Sequence, residues 1–264
     1  FIFYLDNIVM SRVYTYSGPR LYDGSYLAPI SPCSSAIRVT RRKSDLYDPI
    51  LKSSRAVHPQ VGVLFSSTSF INSWPYNEVE HEVFPIHGWL YDSDFGYLYA
   101  HEDAIVKGHE DLYSYKVLFA PWAAWLQPKA AEALLDWVKQ GGVLIASAPV
   151  GAFDQHGKPL NTLLEAGLGK VEVTYGGNER LSDNRLSDES LTYLRSMGDN
   201  NTTHFGGWFW NIQLKEKRPE VKVLLALADG TPAMYEVPIE KGKLIVATGP
   251  IGKNGLRQWA MREV

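Results

Sequence analysis

The sequence predicts an α/β domain: a mainly parallel sheet flanked by helices, with a strand-rich C-terminus. Three observations predict it. First, short apolar runs end in Ser, Thr or Pro: VGVLFSS from Val61, YKVLFAP from Tyr115 and VLIASAP from Val143. Such runs suit buried parallel strands followed by polar loops. Second, helix-like segments separate them, and repeated strand–helix–strand units imply a parallel sheet with right-handed crossovers. Third, VKVLLALADGTPAMYEVPIEKGKLIVATG reads as strand, Asp229-Gly230 turn, strand, Lys241-Gly242 turn and strand.

Taken in order, the lead VYTYSGPRLYDGSY is Tyr-rich turn chemistry after a short strand, and Ala36, Val39, Lys43, Leu46 and Ile50 share a helical stripe. RAVHPQ reads as a linker. Residues 76–91 carry helical spacing with Pro85 interrupting it, FGYLYA suits a strand, and HEDAIVKG a short helical turn or loop. QPKAAEALLDWVKQGG is the clearest helix. Pro128 sits in its first turn, Ala130, Leu134, Trp137 and Val138 form its stripe, and Gly141-Gly142 stops it. The region 152–215 is polar and gives no firm pattern, with RLSDNRLSDESL loop-like.

Composition narrows the partners. The 264 residues, 45% hydrophobic, suffice for one large α/β domain or two small ones. A net charge of −3 favours neither nucleic acid nor an anionic membrane. No apolar run approaches the roughly 18–20 residues that span a bilayer. A single cysteine, Cys33, excludes an intramolecular disulfide. The chain is expected to be soluble, with cytoplasm and secretion both open. FIFYLDNIVM reads as the middle of a longer polypeptide rather than a signal peptide. The 8 Trp and 15 Tyr are compatible with sugar handling, but large aromatic cores and interfaces account for them better.

The candidates for chemistry are diffuse. Ser147 follows a strand, but it lacks the G-x-S-x-G setting of a nucleophile elbow, and Pro149 has no N–H to offer an oxyanion. HEVFPIH and HEDAIVKGHE lack metal-ligand spacing, and His81 and Glu82 read as a solvated helix face. Asp92, Asp94, Glu102, Asp103 and Asp154 are expected in solvated loops, where a glycosidase would need two carboxylates across a cleft. No dinucleotide or phosphate fingerprint is present. No catalytic residue, metal or cofactor is therefore assigned. Trp122 and Trp125, after a strand's carboxyl end, and Trp208 and Trp210 in GGWFWN could stack on a sugar, fill a subunit interface or cap the local core; Tyr16 joins them as a carbohydrate or interface candidate.

The succession PQVGVLFS, YLYAHEDAIVKG, YKVLFAPWAAWLQPKAAEALLDWVKQGGVLIASAPVGAFDQHG and LLALADGTPAMYEVPIEKGKLIVATG resembles the β-galactosidase trimerisation domain of family-42-type glycoside hydrolases. That resemblance covers about residues 59–250 and implies the class I glutamine amidotransferase-like (flavodoxin-like) fold. Where an amidotransferase places its cysteine, this sequence has Ser147-Ala148-Pro149, so the resemblance carries the fold and not that reaction. VYTYSGPRLYDGSY and SAIRVTRRKSDLYDPIL look like the last strand, loop and helix of a (β/α)8 barrel. The resemblance thus implies a barrel remnant and linker over 1–58 and a trimerisation domain over 59–264. It also implies a homo-oligomer, trimeric in the family, partnered by a catalytic barrel whose glutamates have no counterpart here. The function it implies is accessory: oligomerisation within a galactoside-acting hydrolase. A carbohydrate-binding module, or a hydrolase using Asp94, Glu102 or Asp154, is the alternative.

Overall fold

The computed structural model describes residues 58–73, 78–93, 95–147, 149–179, 185–205, 207–252 and 254–262. The predicted strand and helix before residue 58, Cys33 and Tyr16 lie outside them. Among the described residues a seven-stranded sheet has the order β2-β1-β3-β4-β9-β8-β7. Its strands are β1 (Val61–Phe65), β2 (Tyr97–His101), β3 (Val117–Ala120), β4 (Val143–Ala146), β7 (Lys222–Ala226), β8 (Pro232–Ile239) and β9 (Gly242–Ala247). The five strands from β2 to β9 run parallel, while β8 pairs antiparallel with both β9 and β7. This is the mixed, mainly parallel α/β sheet that the apolar runs predict, with the strand-rich C-terminus closing one side.

Alternation within the central strands feeds two cores. Leu64, Leu118, Leu144 and Leu244 point to one face, while Val63, Phe119, Ile145 and Ile245 point to the other. Both faces are covered, so the strands read as unbroken apolar runs. The first face is covered by α3 (Glu102–Val106), α4 (Pro128–Lys139) and α5 (Thr162–Leu168). The second is covered by α2 (Glu78–Asp92), α6 (Asp188–Ser196) and α7 (Arg257–Arg262). A short helix, α1 (Ser67–Asn72), follows β1.

Helix α4 matches its sequence signals: Pro128 opens it, and Ala130, Leu134, Trp137 and Val138 are buried. Its glycine stop has two physical reasons. Gly141 has a φ of +124°, and a Cβ on Gly142 would lie 2.3 Å from the Trp137 indole. Helix α2 departs from expectation, running through Pro85 without a break. Proline removes one intrahelical hydrogen bond and costs about 3 kcal/mol in a helix interior. Burial of Ile86, Trp89 and Leu90 against the sheet offsets it.

The region without a firm pattern is ordered by long-range pairing. Strands β5 (Gly169–Glu179) and β6 (Gly207–Lys217) form a separate antiparallel ribbon. Val171 and Ile212 of that ribbon are buried in the first core. The segment read as loop contains α6, whose N-cap Ser187 accepts the Ser190 N–H at 3.2 Å.

Candidate functional site at the carboxyl edge of the sheet

Strand β1 is flanked by β2 on one side and β3 on the other, so the chain crosses over in opposite directions from it. In open α/β sheets the crevice outside the carboxyl ends of the strands at such a point is the usual ligand site. Here the chain's own polar side chains meet there. Glu102, the first residue of α3, is fully buried. Its Oε2 accepts from Ser66 Oγ at 2.8 Å and from the Thr68 N–H at 3.1 Å. Its Oε1 accepts from Thr68 Oγ1 at 2.9 Å and from the Gln127 N–H at 2.6 Å. The carboxylate thereby ties the loop after β1 to the loop after β3 with hydrogen bonds of the charge-assisted kind.

A second clasp lies alongside. Ser69 Oγ donates to the Trp125 carbonyl at 2.6 Å and accepts the Trp125 N–H at 3.0 Å. Ser66 caps α1 by accepting the Ser69 N–H at 2.9 Å. Ser147, at the end of β4, is also buried, and its Oγ accepts the Trp122 N–H at 2.8 Å. That bond helps hold Trp122 at a φ of +50°, a left-handed backbone that costs a non-glycine residue about 1–3 kcal/mol.

Above these loops Trp122, Trp125, Phe153 and Trp210 pack ring on ring, with centroids of Trp125 and Trp210 5.5 Å apart and those of Trp122 and Trp210 6.2 Å apart. Trp122 and Trp210 are buried, whereas Trp125 is half-buried. The Trp210 N–H donates to the Thr248 carbonyl at 2.8 Å, anchoring β6 at the end of β9. Of the aromatic candidates, Trp122, Trp125 and Trp210 therefore come together. Trp208 lies in β6 opposite Asn178.

The carboxylates require correction. Glu102 is not a solvated loop residue; it is the buried anchor of the crevice. Glu82 is not on a solvated helix face; it is buried, and its Oε1 accepts the Gly252 N–H at 2.6 Å. Asp92 lies in α2 and pairs with Arg257 at 3.5 Å. Asp103 accepts from the Gln127 side chain at 2.9 Å and from Ser67 Oγ at 3.3 Å. Asp154 is half-buried; the N–H groups of Lys158 and His156 bind its carboxylate and hold its pKa below the usual aspartate value. Asp94 lies outside the described residues. Among the described residues no cluster of three or more His, Cys, Asp or Glu side chains could hold a metal, and no helix is long and apolar enough to cross a membrane. Sequence reasoning missed the Glu102 anchor, although Ser66-Ser67-Thr68-Ser69 directly after an apolar strand was its visible trace.

The family model for the β-galactosidase trimerisation domain matches residues 97–260, from β2 to α7. The chain belongs to this family. Solved structures carry the same fold as this trimerisation-domain chain. Gan42B, a GH42 β-galactosidase from G. stearothermophilus, aligns with a TM-score of 0.63 at 15% identity, covering 88% of this chain and 33% of that one. The β-galactosidase of the haloarchaeon Halorubrum lacusprofundi aligns with a TM-score of 0.55 at 16% identity, over 80% and 30% of the two chains. That of Bacillus circulans sp. alkalophilus gives 0.53 at 16% identity, over 78% and 30%. The chain thus spans about a third of the length of each of these enzymes. No curated protein matches the chain significantly by sequence.

Proposed function

We propose that the chain is the assembly portion of a glycoside hydrolase acting on galactosides, with residues 59–264 as the trimerisation domain and residues 1–58 as the end of a preceding barrel. The observation that carries this reading is the family match over residues 97–260. The crevice supports it from the chemical side. The place where this class of sheet holds a ligand is occupied by Glu102, Ser66, Thr68 and Ser69, whose polar atoms bind one another and the adjoining backbone. Ser147 spends its acceptor on the Trp122 N–H. The work of the domain is then to bury apolar surface between subunits, at about 25 cal/mol per Å².

Light scattering on the eluting 264-residue chain tests the reading directly, with a trimer expected. A strictly monomeric chain at high concentration would count against it. On a chromogenic galactoside the chain alone is expected to show no turnover, and measurable hydrolysis would overturn the accessory role. Carbohydrate contact is the second reading, and Trp125 favours it as a half-buried indole packed against Phe153 and Trp210. A saturable change in tryptophan fluorescence on adding galactose or lactose, lost in Trp125→Phe, is its expected signature; an unchanged spectrum removes it.

A further inference from the structure

The segment between β9 and α7 is fastened largely through its backbone. The Gly252 N–H donates to Oε1 of the buried Glu82 at 2.6 Å. Thr202 Oγ1 donates to the Asn254 carbonyl at 3.0 Å. The Gly255 N–H donates to the Gly252 carbonyl at 3.1 Å, and the Asn254 side-chain amide donates to the Pro250 carbonyl. Beyond the turn, Asp199 takes the N–H groups of Gln258 and Trp259 at 3.0 and 2.7 Å. Ile251, Leu256 and Trp259 carry the segment into the second core.

Asn254-Gly255 is the sole Asn-Gly pair in the sequence. Glycine has no Cβ, so its backbone nitrogen is the least shielded from the side chain before it. Attack by that nitrogen on Asn254 Cγ closes a five-membered succinimide. The Cγ–Nδ2 bond breaks, and the amide leaves as ammonia with the proton that Gly255 gives up. Water then opens the ring at either carbonyl, leaving aspartate or isoaspartate. Water is the only co-reactant, and Gly255 is exposed to it, at a φ of +71°. The native turn holds the reacting groups apart. Gly252 engages the Gly255 N–H, Pro250 the side-chain amide and Thr202 the Asn254 carbonyl. The reaction therefore waits on local opening of the turn, and its rate follows the open population.

We propose that Asn254 is a self-modification site, converted to aspartate or isoaspartate through the Gly255 nitrogen when the turn opens, and that the conversion loosens α7. The product has no amide to give the Pro250 carbonyl and sets a carboxylate in its place. The new charge enters a segment already held by two buried carboxylates, Glu82 and Asp199, and is repelled by both. Isoaspartate also adds a methylene to the backbone between the Gly252 and Gln258 attachments. Leu256 and Trp259 sit fully packed within that stretch and just beyond it, where the core does not absorb an added atom freely. The step is irreversible, so the modified fraction records how long the turn has stood open.

The test incubates the purified 264-residue chain in mildly alkaline buffer and follows its tryptic peptide NGLR, residues 254–257, by mass spectrometry. Deamidated and isoaspartyl forms of that peptide are expected to accumulate. In Thr202→Val, with circular dichroism confirming the fold, they should accumulate about fivefold faster, the factor that corresponds to about 1 kcal/mol for one lost hydrogen bond. No deamidation of the peptide in the folded chain overturns the site, and equal rates in parent and variant overturn the control by opening. Should the variant misfold, urea below the unfolding midpoint decides on the parent: the rate must rise with urea, and a flat rate overturns that control. The effect on α7 is read by amide exchange in Asn254→Asp, where Gln258 and Trp259 should exchange about fivefold faster than in the parent. Unchanged exchange there overturns the loosening.

Discussion

At the β7 end of the sheet, the segment leading into α6 takes up the outer backbone groups: Ser187 donates to the Ala226 carbonyl at 3.0 Å, and Ala228 donates to the Arg185 carbonyl at 2.8 Å. The Ala226 N–H finds Ser190 Oγ at 2.8 Å, and register shifts disturb the β7–β8 pair. At the β2 end, Tyr97-Leu98-Tyr99 presents a regular, uncharged strand in unbroken register with β1. Both strands end the described sheet, yet β7 is fastened through a serine hydroxyl and shifted in register, whereas β2 keeps an even ladder with its neighbour. The physical lesson is that a disturbed ladder leaves backbone groups for side chains to satisfy, as Ser190 does for Ala226.

The largest expected effect falls at the carboxyl end of β2, where Glu102 fastens that strand to the loops of β1 and β3. Glu102→Ala strands two N–H groups and two hydroxyls, and should lower unfolding free energy in urea by at least about 4 kcal/mol, at about 1–3 kcal/mol for each buried group left unmade. A loss under about 1 kcal/mol would mean that water replaces the carboxylate and that the crevice is not sealed. On the closed edge, Ser190→Ala should cost about 1–2 kcal/mol by the same measurement, because its hydroxyl serves both the N–H and the carbonyl of Ala226.

At the β2 edge Leu98→Lys, at a position 44% exposed, should change stability in urea by less than about 0.5 kcal/mol. If Leu98→Lys destabilised the fold as much as Ser190→Ala, the contrast between the edges would collapse.

The smallest effect concerns α7. Asp199 accepts the N–H groups of Gln258 at 3.0 Å and Trp259 at 2.7 Å, yet burial outweighs them and lifts its carboxyl above the usual aspartate range. A raised acid contributes stability that is full below its unfolded pKa, about 3.9, and lost as pH rises through the folded value. The melting temperature of Asp199→Asn relative to the parent should therefore rise between pH 4 and pH 7. A pH-independent difference would show that the two N–H donors balance burial, and a falling one that they prevail over it.

The sheet was legible because its central strands are buried on both faces, and α4 because proline, stripe and double glycine agree. Helix α2 was legible except for Pro85, since local propensity carries no record of the core that Trp89 and Leu90 enter. Strands β5 and β6 pair across the whole of α6, so no local window holds their signal. Glu82 and Glu102 were misread for one reason. A buried carboxylate is identified by its donors, and those of Glu102 lie 34, 36 and 25 residues away in sequence.

The filled crevice has a consequence for local dynamics. Loops ordinarily open at little free energy and exchange their amide hydrogens quickly. Here Thr68, Ser69, Trp125 and Gln127 give their N–H groups to Glu102, Ser66, Ser69 and again Glu102. None of these loop amides can be released singly without unfastening the carboxylate or serine that holds a neighbour. They should exchange together, at rates close to those of the central strands.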